Sequence, residues 1–506
     1  MTLSSTEPQH LTQRQLEAAM LAAANALRGP VDPGDFKAYV FPVMFFKWIS
    51  DSWDHEHTRA VADFGDSLTQ EIEADYHAFV IPDGCHWADV HQTAQQIGAK
   101  LSEALQRIQL ANPDTLSGVF GDVNWANKER LPESALTKLL DVFHPVRLDA
   151  DSVKGDMLGS AYEYLLREFA EGSGKKAGEF FTPRHVVHLL VKILDPKPGD
   201  SIADPACGSG GMLVETVAAV RVAGGDPRTL RLFGQEINLT TSAIAKMNLY
   251  LHGLEDFRIV RGDTFREPKL LLDDDGLQLF DITLANPPFS LQNWGADAWA
   301  KDPYNRASYG VPPAKNGDFA WIQHMLATMK PGTGRVGVVM PHGVLFRGGK
   351  EAGIRECILN QDRLEAVIGL PNNLFYSTSI PVCLLIFRAA KPASRKDHVL
   401  FIDATRRFVA GKNQNTMSEE DIEVVNAAYK RGEVIDGESG LSLRLVPITE
   451  IIENNYDLNL GRYIQGETAA EANVEEALIL MREAQERLAA TQAVLDEKLK
   501  AAGFNV

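Results

Sequence analysis

Apolar positions at helical spacing fill most of the first 150 residues. The stretch LTQRQLEAAMLAAANALRG is alanine-rich and closes at Gly29-Pro30, a helix ended by a stop signal. FKAYVFPVMFFKWISDSWD follows, crowded with aromatics that predict a small core. QTAQQIGAKLSEALQRIQL and ESALTKLLDVF carry the polar–apolar mix of further amphipathic helices. From about Gly155 the pattern changes: AYEYLLREFAE predicts a helix, GSGKKAGEFFTPR a loop and HVVHLLVKIL another helix. After Pro196 come short apolar runs of strand length, SIADP, LRLFGQEI, FRIVRGD, FDITLANPP, GRVGVVMP, LEAVIGLP and VCLLIFR, alternating with helical stretches. Strands that alternate with helices predict a doubly wound α/β sheet with ligand groups at the strands' carboxyl ends. From Glu467 to Lys500 the pattern is helical again. Val474, Leu478, Met481, Leu488, Leu495 and Leu499 keep a four-three spacing, with Gln485 and Gln492 in the same seam. That stripe fits a helix packed on its own protein as well as one packed on a partner. Three regions result: residues 1–154 helical, 155–466 built around the sheet, and 467–506 a helical tail. No internal repeat is visible.

The 506 residues suffice for two or three domains with a real core, and 45% hydrophobic with 23% charged residues is ordinary for a globular protein. MTLSSTEPQH lacks the basic and apolar regions of a signal peptide, and no apolar run is long enough to span a bilayer, so a cytoplasmic protein without a membrane partner is expected. Cys85, Cys207, Cys357 and Cys383 are scattered without a CxxC pair, which predicts reduced thiols and no metal centre of the zinc type. The formal charge of −18 matters more. A protein that grips duplex DNA alone usually shows a basic surface, so a chain this acidic would draw part of any such grip from a local patch or another subunit.

Candidate chemistry gathers at the strand ends. SIADPACGSGGML reads as a strand, an acidic tip and a glycine turn opening a helix, in which Gly208, Gly210 and Gly211 let a ligand approach the backbone. It is neither GxGxxG nor GxxxxGK[ST]. The next strand ends in Glu236, placed to accept both hydroxyls of a ribose, and the third in Asp263, placed to accept from an adenine amino group. Each acid alone could be a helix cap. The ordered set suits a nucleoside with an amino-acid tail. In DITLANPPFS an apolar strand runs into Asn286, two prolines and Phe289. Adjacent prolines cannot continue a central strand, so they fix an amide and an aromatic ring in a rigid turn at its carboxyl end.

DPACGSGG followed by NPPF resembles motifs I and IV of S-adenosylmethionine-dependent amino-methyltransferases, and GEFFTPRHVV resembles the motif X that precedes them in the gamma order of adenine-N6 DNA methyltransferases. The likeness extends to FPVMFFKWISDSW, LPNNLFYSTSIPVCLLIF and the C-terminal helix, as in the modification subunit of type I restriction-modification systems. The resemblance implies a Rossmann-like methyltransferase sheet with an N-terminal helical domain and a C-terminal helical tail. It implies that Glu179, Phe180, Phe181, Thr182, Pro183 and Arg184, with Gly208, Ser209, Gly210 and Gly211, contact the methionine end of S-adenosylmethionine. Asp204 would lie beneath that loop, Glu236 would hold the ribose and Asp263 the cofactor's adenine. Asn286, Pro287, Pro288 and Phe289 would be catalytic. The expected partners are double-stranded DNA, a specificity subunit joined by two modification subunits, and an ATP-dependent restriction subunit.

The lone pair of adenine N6 is delocalised into the ring, so the amine is a poor nucleophile. The Asn286 side-chain carbonyl and the Pro287 backbone carbonyl can each accept one amino hydrogen, aiming the lone pair at the methyl donor by position and electrostatics. Phe289 would stack on the flipped base. Carbon-5 cytosine chemistry needs a cysteine nucleophile, and Pro381-Val382-Cys383 reads as strand. N4-cytosine enzymes more often have Ser at the Asn286 position. Methylation of RNA or of a protein glutamine, and a non-catalytic scaffold, are the competing readings. GSGKK lacks the remainder of a phosphate loop, His185 and His188 read as ordinary helix residues, and Arg347, Lys350 and Arg355 read as a solvated face or a phosphate-contacting patch. The recognised DNA sequence, the preference between hemimethylated and unmethylated sites, and activity without the specificity subunit are not legible.

Overall fold

Helix α1 (Gln13–Ala26) begins at a reciprocal cap, the Thr12 hydroxyl accepting from the Gln15 N–H while the Gln15 side chain accepts from the Thr12 N–H. Helix α2 (Phe36–Phe64) is long and carries Pro42 in its interior, where a proline removes one backbone bond. Burial offsets that loss: Phe41, Phe45 and Phe46 are fully enclosed. Helices α3 (Gln70–Tyr76), α4 (Trp87–His91), α5 (Ile97–Ala111) and α6 (Glu133–Phe143) complete the helical region. Its core extends beyond the region itself. Phe41 packs on Tyr162 of α7 (Met157–Gly172), and Phe45 on Tyr250 of α10 (Leu239–Leu251). The aromatic cluster thus bolts the first helices onto the sheet's flanking helices.

The computed structural model describes residues 10–153, 157–172, 182–375, 380–412, 414–433 and 440–464, with positions 491, 492, 495 and 498. Among the described residues nine strands form one sheet: β1 (Ser201–Asp204), β2 (Arg231–Glu236), β3 (Phe257–Arg261), β4 (Ile282–Ala285), β5 (Arg335–Pro341), β6 (Leu364–Gly369), β7 (Val382–Arg388), β8 (His398–Asp403) and β9 (Ser442–Pro447). Their order is β3-β2-β1-β4-β5-β7-β6-β8-β9. β1 to β5 are parallel, whereas β7 runs antiparallel to β5 and β6, and β9 antiparallel to β8. Every strand predicted from the sequence is present. From β1 the chain builds outward through β2 and β3 on one side and β4 and β5 on the other. The crevice at the carboxyl ends of β1 and β4 is therefore the topological switch point, where such sheets bind ligands.

Helix α8 (Arg184–Leu194) and α9 (Gly211–Val222) flank this switch point. α8 buries Val186, Leu189, Leu190 and Ile193. Gly337 of β5 permits its close approach, because a Cβ there would stand 2.6 Å from the Leu190 Cδ1. Among the described residues no helix is long and apolar enough to cross a membrane. The stripe expected over 467–500 lies outside the described residues except at 491, 492, 495 and 498, which are helical.

Candidate active site

The first strand delivers Asp204 into the interior, where it is 2% exposed. Burial pushes its carboxyl up to about 7 and the nearby Glu236 charge adds to this, while the Ala206 N–H, donating at 2.9 Å, opposes it. The chain then turns through Gly208 and Gly210, whose φ values of +54° and +81° suit glycine, and enters α9. Three neighbours hold this loop. Glu236 at the end of β2 accepts from the Gly208 N–H at 3.1 Å and the Asn238 N–H at 2.8 Å. The Asn248 amide of α10 donates to the Ser209 carbonyl at 3.0 Å, and the Thr264 hydroxyl to the Pro205 carbonyl at 2.6 Å. Burial raises Glu236, against those backbone N–H groups. Asp263 caps the turn after β3, accepting from the Phe265 and Arg266 N–H groups and pairing with the Arg266 guanidinium. The three acids therefore stand at three successive strand tips around one glycine loop.

The fourth strand ends at Asn286. Its amide Nδ2 donates to the Thr182 hydroxyl at 2.8 Å, while its Oδ1 is buried and has no hydrogen-bond partner among the described residues. An unsatisfied buried acceptor costs roughly 1–3 kcal/mol, so this oxygen is kept waiting for a donor. Pro287 is buried and Pro288 exposed. Phe289 is partly buried, edge-on to Phe375 with centroids 6.4 Å apart and planes at 70°. The turn cannot drift: the Ser290 N–H donates to Asp318 at 2.6 Å, and Asp318, 1% exposed, pairs with Arg347, which also holds Glu351.

Thr182, Pro183 and Arg184 lead into α8, which is tied to the glycine-loop helix through Glu215. His188 Nδ1 lies 2.5 Å from Glu215 Oε1, and Arg184 Nε 3.8 Å from Oε2. The bond to Glu215 holds His188 above its ordinary range. His185 is pushed down to about 4 by burial. Glu179, Phe180, Phe181 and the GSGKK segment beyond Gly172, which ends α7, lie outside the described residues.

One expectation is corrected. Arg347 and Arg355 form neither a solvated face nor a phosphate-contacting patch. Arg347 is committed to Asp318 and Glu351, and Arg355, 4% exposed, donates to the carbonyls of Val344, Arg347 and Tyr456. Only Lys350 of the three is exposed. Glu215, Asp318 and Phe375 also belong to the site, although no motif in the sequence marks them. Each acts through a partner distant in the chain, and single-sequence spacing carries no signal for such pairs.

Residues 153–472 match the family described as N-6 DNA Methylase, and residues 16–143 the family described as HsdM N-terminal domain. The chain is 34% identical over 394 residues to the type I restriction enzyme MjaVII methylase subunit of Methanocaldococcus jannaschii, covering 75% of this chain and 65% of that one. It is 32% identical over 483 residues to the MjaVIII methylase subunit of the same organism, covering 91% and 80%. The solved methyltransferase subunit of a type I restriction-modification system from Streptococcus thermophilus superposes with a TM-score of 0.78 at 31% identity, covering 90% of this chain and all of that one. The chain belongs to the N-6 DNA methylase family. Its sheet is accordingly that of an S-adenosylmethionine-dependent methyltransferase.

Proposed function

We propose that this chain transfers a methyl group from S-adenosylmethionine to the N6 amine of adenine in double-stranded DNA, as the modification subunit of a type I restriction-modification complex. The observation that carries the reading is the orphaned Asn286 Oδ1 at the switch point. Adenine N6–H supplies the missing donor. The residues at the glycine loop fit the cofactor, because Gly208 and Gly210 free the backbone and the tips of β2 and β3 offer Glu236 and Asp263 to its hydroxyls and adenine. When bound there, S-adenosylmethionine supplies an electrophilic methyl group on a sulfonium.

Asn286 and the Pro287 carbonyl then accept the two amine hydrogens and set the direction of the nitrogen lone pair. Phe289 stacks on the base, which must leave the helix to reach the turn. After attack the amine carries an extra proton, which leaves towards the same acceptors and solvent. Thr182 holds the Asn286 amide in register throughout.

Two copies join one specificity subunit in the cytoplasm, with the helical tail from Glu467 contributing to the junction and an ATP-dependent restriction subunit joining the assembly. The net charge of −18 fits a chain whose DNA grip is partly borrowed. The test is transfer of labelled methyl groups by the purified complex to duplex DNA, to RNA and to protein. N6-methyladenine in duplex DNA is the expected product. Label appearing only in RNA or protein contradicts the assignment.

A further inference from the structure

We propose that the N-terminal helices hold a divalent transition-metal site, built from His57, Glu73 and His77, and that Zn²⁺ is its ion. The site lies apart from the methyl-transfer crevice and departs from the expectation, drawn from scattered cysteines, of no metal. Cysteine spacing says nothing about it, because no thiolate takes part.

His57 sits in the second half of α2. Glu73 lies within α3, and His77, four residues on, is the extended residue that caps its C-terminus. One donor atom from each of the three lies within 4.8 Å of the others. His57 Nδ1 is 2.5 Å from Glu73 Oε1, and His77 Nε2 is 4.0 Å from that same oxygen. Metal–ligand bonds of about 2.0–2.2 Å at tetrahedral angles need donors about 3.3–3.6 Å apart, a range these separations bracket. Small side-chain rotations bring them to it.

The decisive group is His77. Its side chain is 5% exposed, and its Nε2 is buried with no hydrogen-bond partner among the described residues. Its Nδ1 lies 3.0 Å from Glu56 Oε2. A carboxylate on Nδ1 keeps the ring proton there and leaves the Nε2 lone pair bare. This carboxylate–histidine arrangement is the one that orients metal ligands. Trp53 stacks on both rings, at 4.3 Å and 11° from His77 and at 5.3 Å and 9° from His57, which fixes their planes. A plain ion pair between His57 and Glu73 would explain those two residues but leave His77 Nε2 stranded.

Two imidazoles and one carboxylate suit a borderline ion such as Zn²⁺ rather than Mg²⁺ or Ca²⁺, which prefer all-oxygen shells. His57 is 43% exposed, which leaves the fourth position open to water. Bound there, the ion pins α3 to α2 across the Gly65–Thr69 turn.

The test uses the full chain, stripped with a chelator and titrated with Zn²⁺ or Co²⁺ alone. One retained equivalent of Zn²⁺, visible ligand-field bands in the Co²⁺ form and a higher Tm are expected. His77→Gln should weaken Zn²⁺ binding by at least about 100-fold and Glu56→Gln by about 10- to 100-fold, with circular dichroism and cofactor binding unchanged. Should His77→Gln fail to fold, Glu56→Gln and His57→Ala, at a more exposed ligand, carry the test. Substoichiometric metal in the wild type, or variants that bind as tightly as it does, overturns the proposal.

Discussion

Asn286 donates through Nδ2 to the hydroxyl of Thr182, at 2.8 Å, across 104 positions of sequence. This bond joins the turn after β4 to the segment that leads into α8 and fixes the plane of the Asn286 amide. With Nδ2 engaged, the free group is the acceptor Oδ1. An amide turned the other way would present a donor to the adenine amine and repel it.

Thr182→Val keeps the side-chain volume and removes the hydroxyl. The Asn286 amide then rotates between two orientations, and a single neutral hydrogen bond is worth roughly 0.5–1.5 kcal/mol. We expect kcat to fall about tenfold, with cofactor affinity changed much less, and Thr182→Ser to restore most of the rate. Single-turnover methylation alongside equilibrium cofactor binding separates the two. A Thr182→Val enzyme with wild-type kcat contradicts the positioning role.

Phe289 presents a partly buried ring beside Asn286. Base–aromatic stacking is worth about 1–3 kcal/mol per base. Phe289→Leu should therefore lower kcat/KM for DNA by roughly 10- to 100-fold, while Phe289→Tyr retains most of it. Fluorescence of 2-aminopurine at the target position reports whether the lost step is holding the flipped base. Equal flipping in wild type and Phe289→Leu contradicts the stacking role.

The carboxyl of Asp204 is held at about 7 by burial. Raised above its ordinary value of 3.8, it favours the folded state while protonated. That contribution is present below about pH 4 and is lost as pH rises towards 7, amounting to on the order of 4 kcal/mol across the window. Asp204→Asn should flatten the loss of Tm between pH 4 and 7. A slope in that window unchanged by the substitution would contradict the buried-acid account.

Arg355 is a structural cation whose guanidinium is shared among three backbone carbonyls. Arg355→Ala should cost roughly 2–4 kcal/mol in denaturant unfolding, because several buried acceptors lose their donor. The salt dependence of DNA binding should stay the same, whereas removing a true phosphate contact reduces its slope by about one.

These cases separate what the sequence made legible from what it did not. Strand identity was readable because β1 to β7 are short apolar runs, most of them bounded by glycine or proline, and period and punctuation are local properties. The positions of Asp204, Glu236, Asp263 and Asn286 were readable for the same reason, each lying at or within two residues of the end of a strand. β8 and β9 escaped notice, although HVLFID has strand composition, because neither is closed by a proline or glycine that leads into a recognisable motif. The Arg347 and Arg355 assignments failed because charge in a sequence looks the same whether it faces water or a buried carbonyl. Thr182 was singled out as a cofactor contact, whereas the structure bonds it to Asn286, and that bond depends on α8 lying against β5, a tertiary fact.

The most direct measurement of the central claim is methyl transfer by Asn286→Ala in complex with the specificity subunit, under single-turnover conditions, with cofactor affinity determined on the same preparation. Loss of transfer by at least about 1,000-fold with a near-normal cofactor Kd is the predicted result, in line with removal of a preorganised group aimed at the reacting atom. Transfer at an undiminished rate would contradict it.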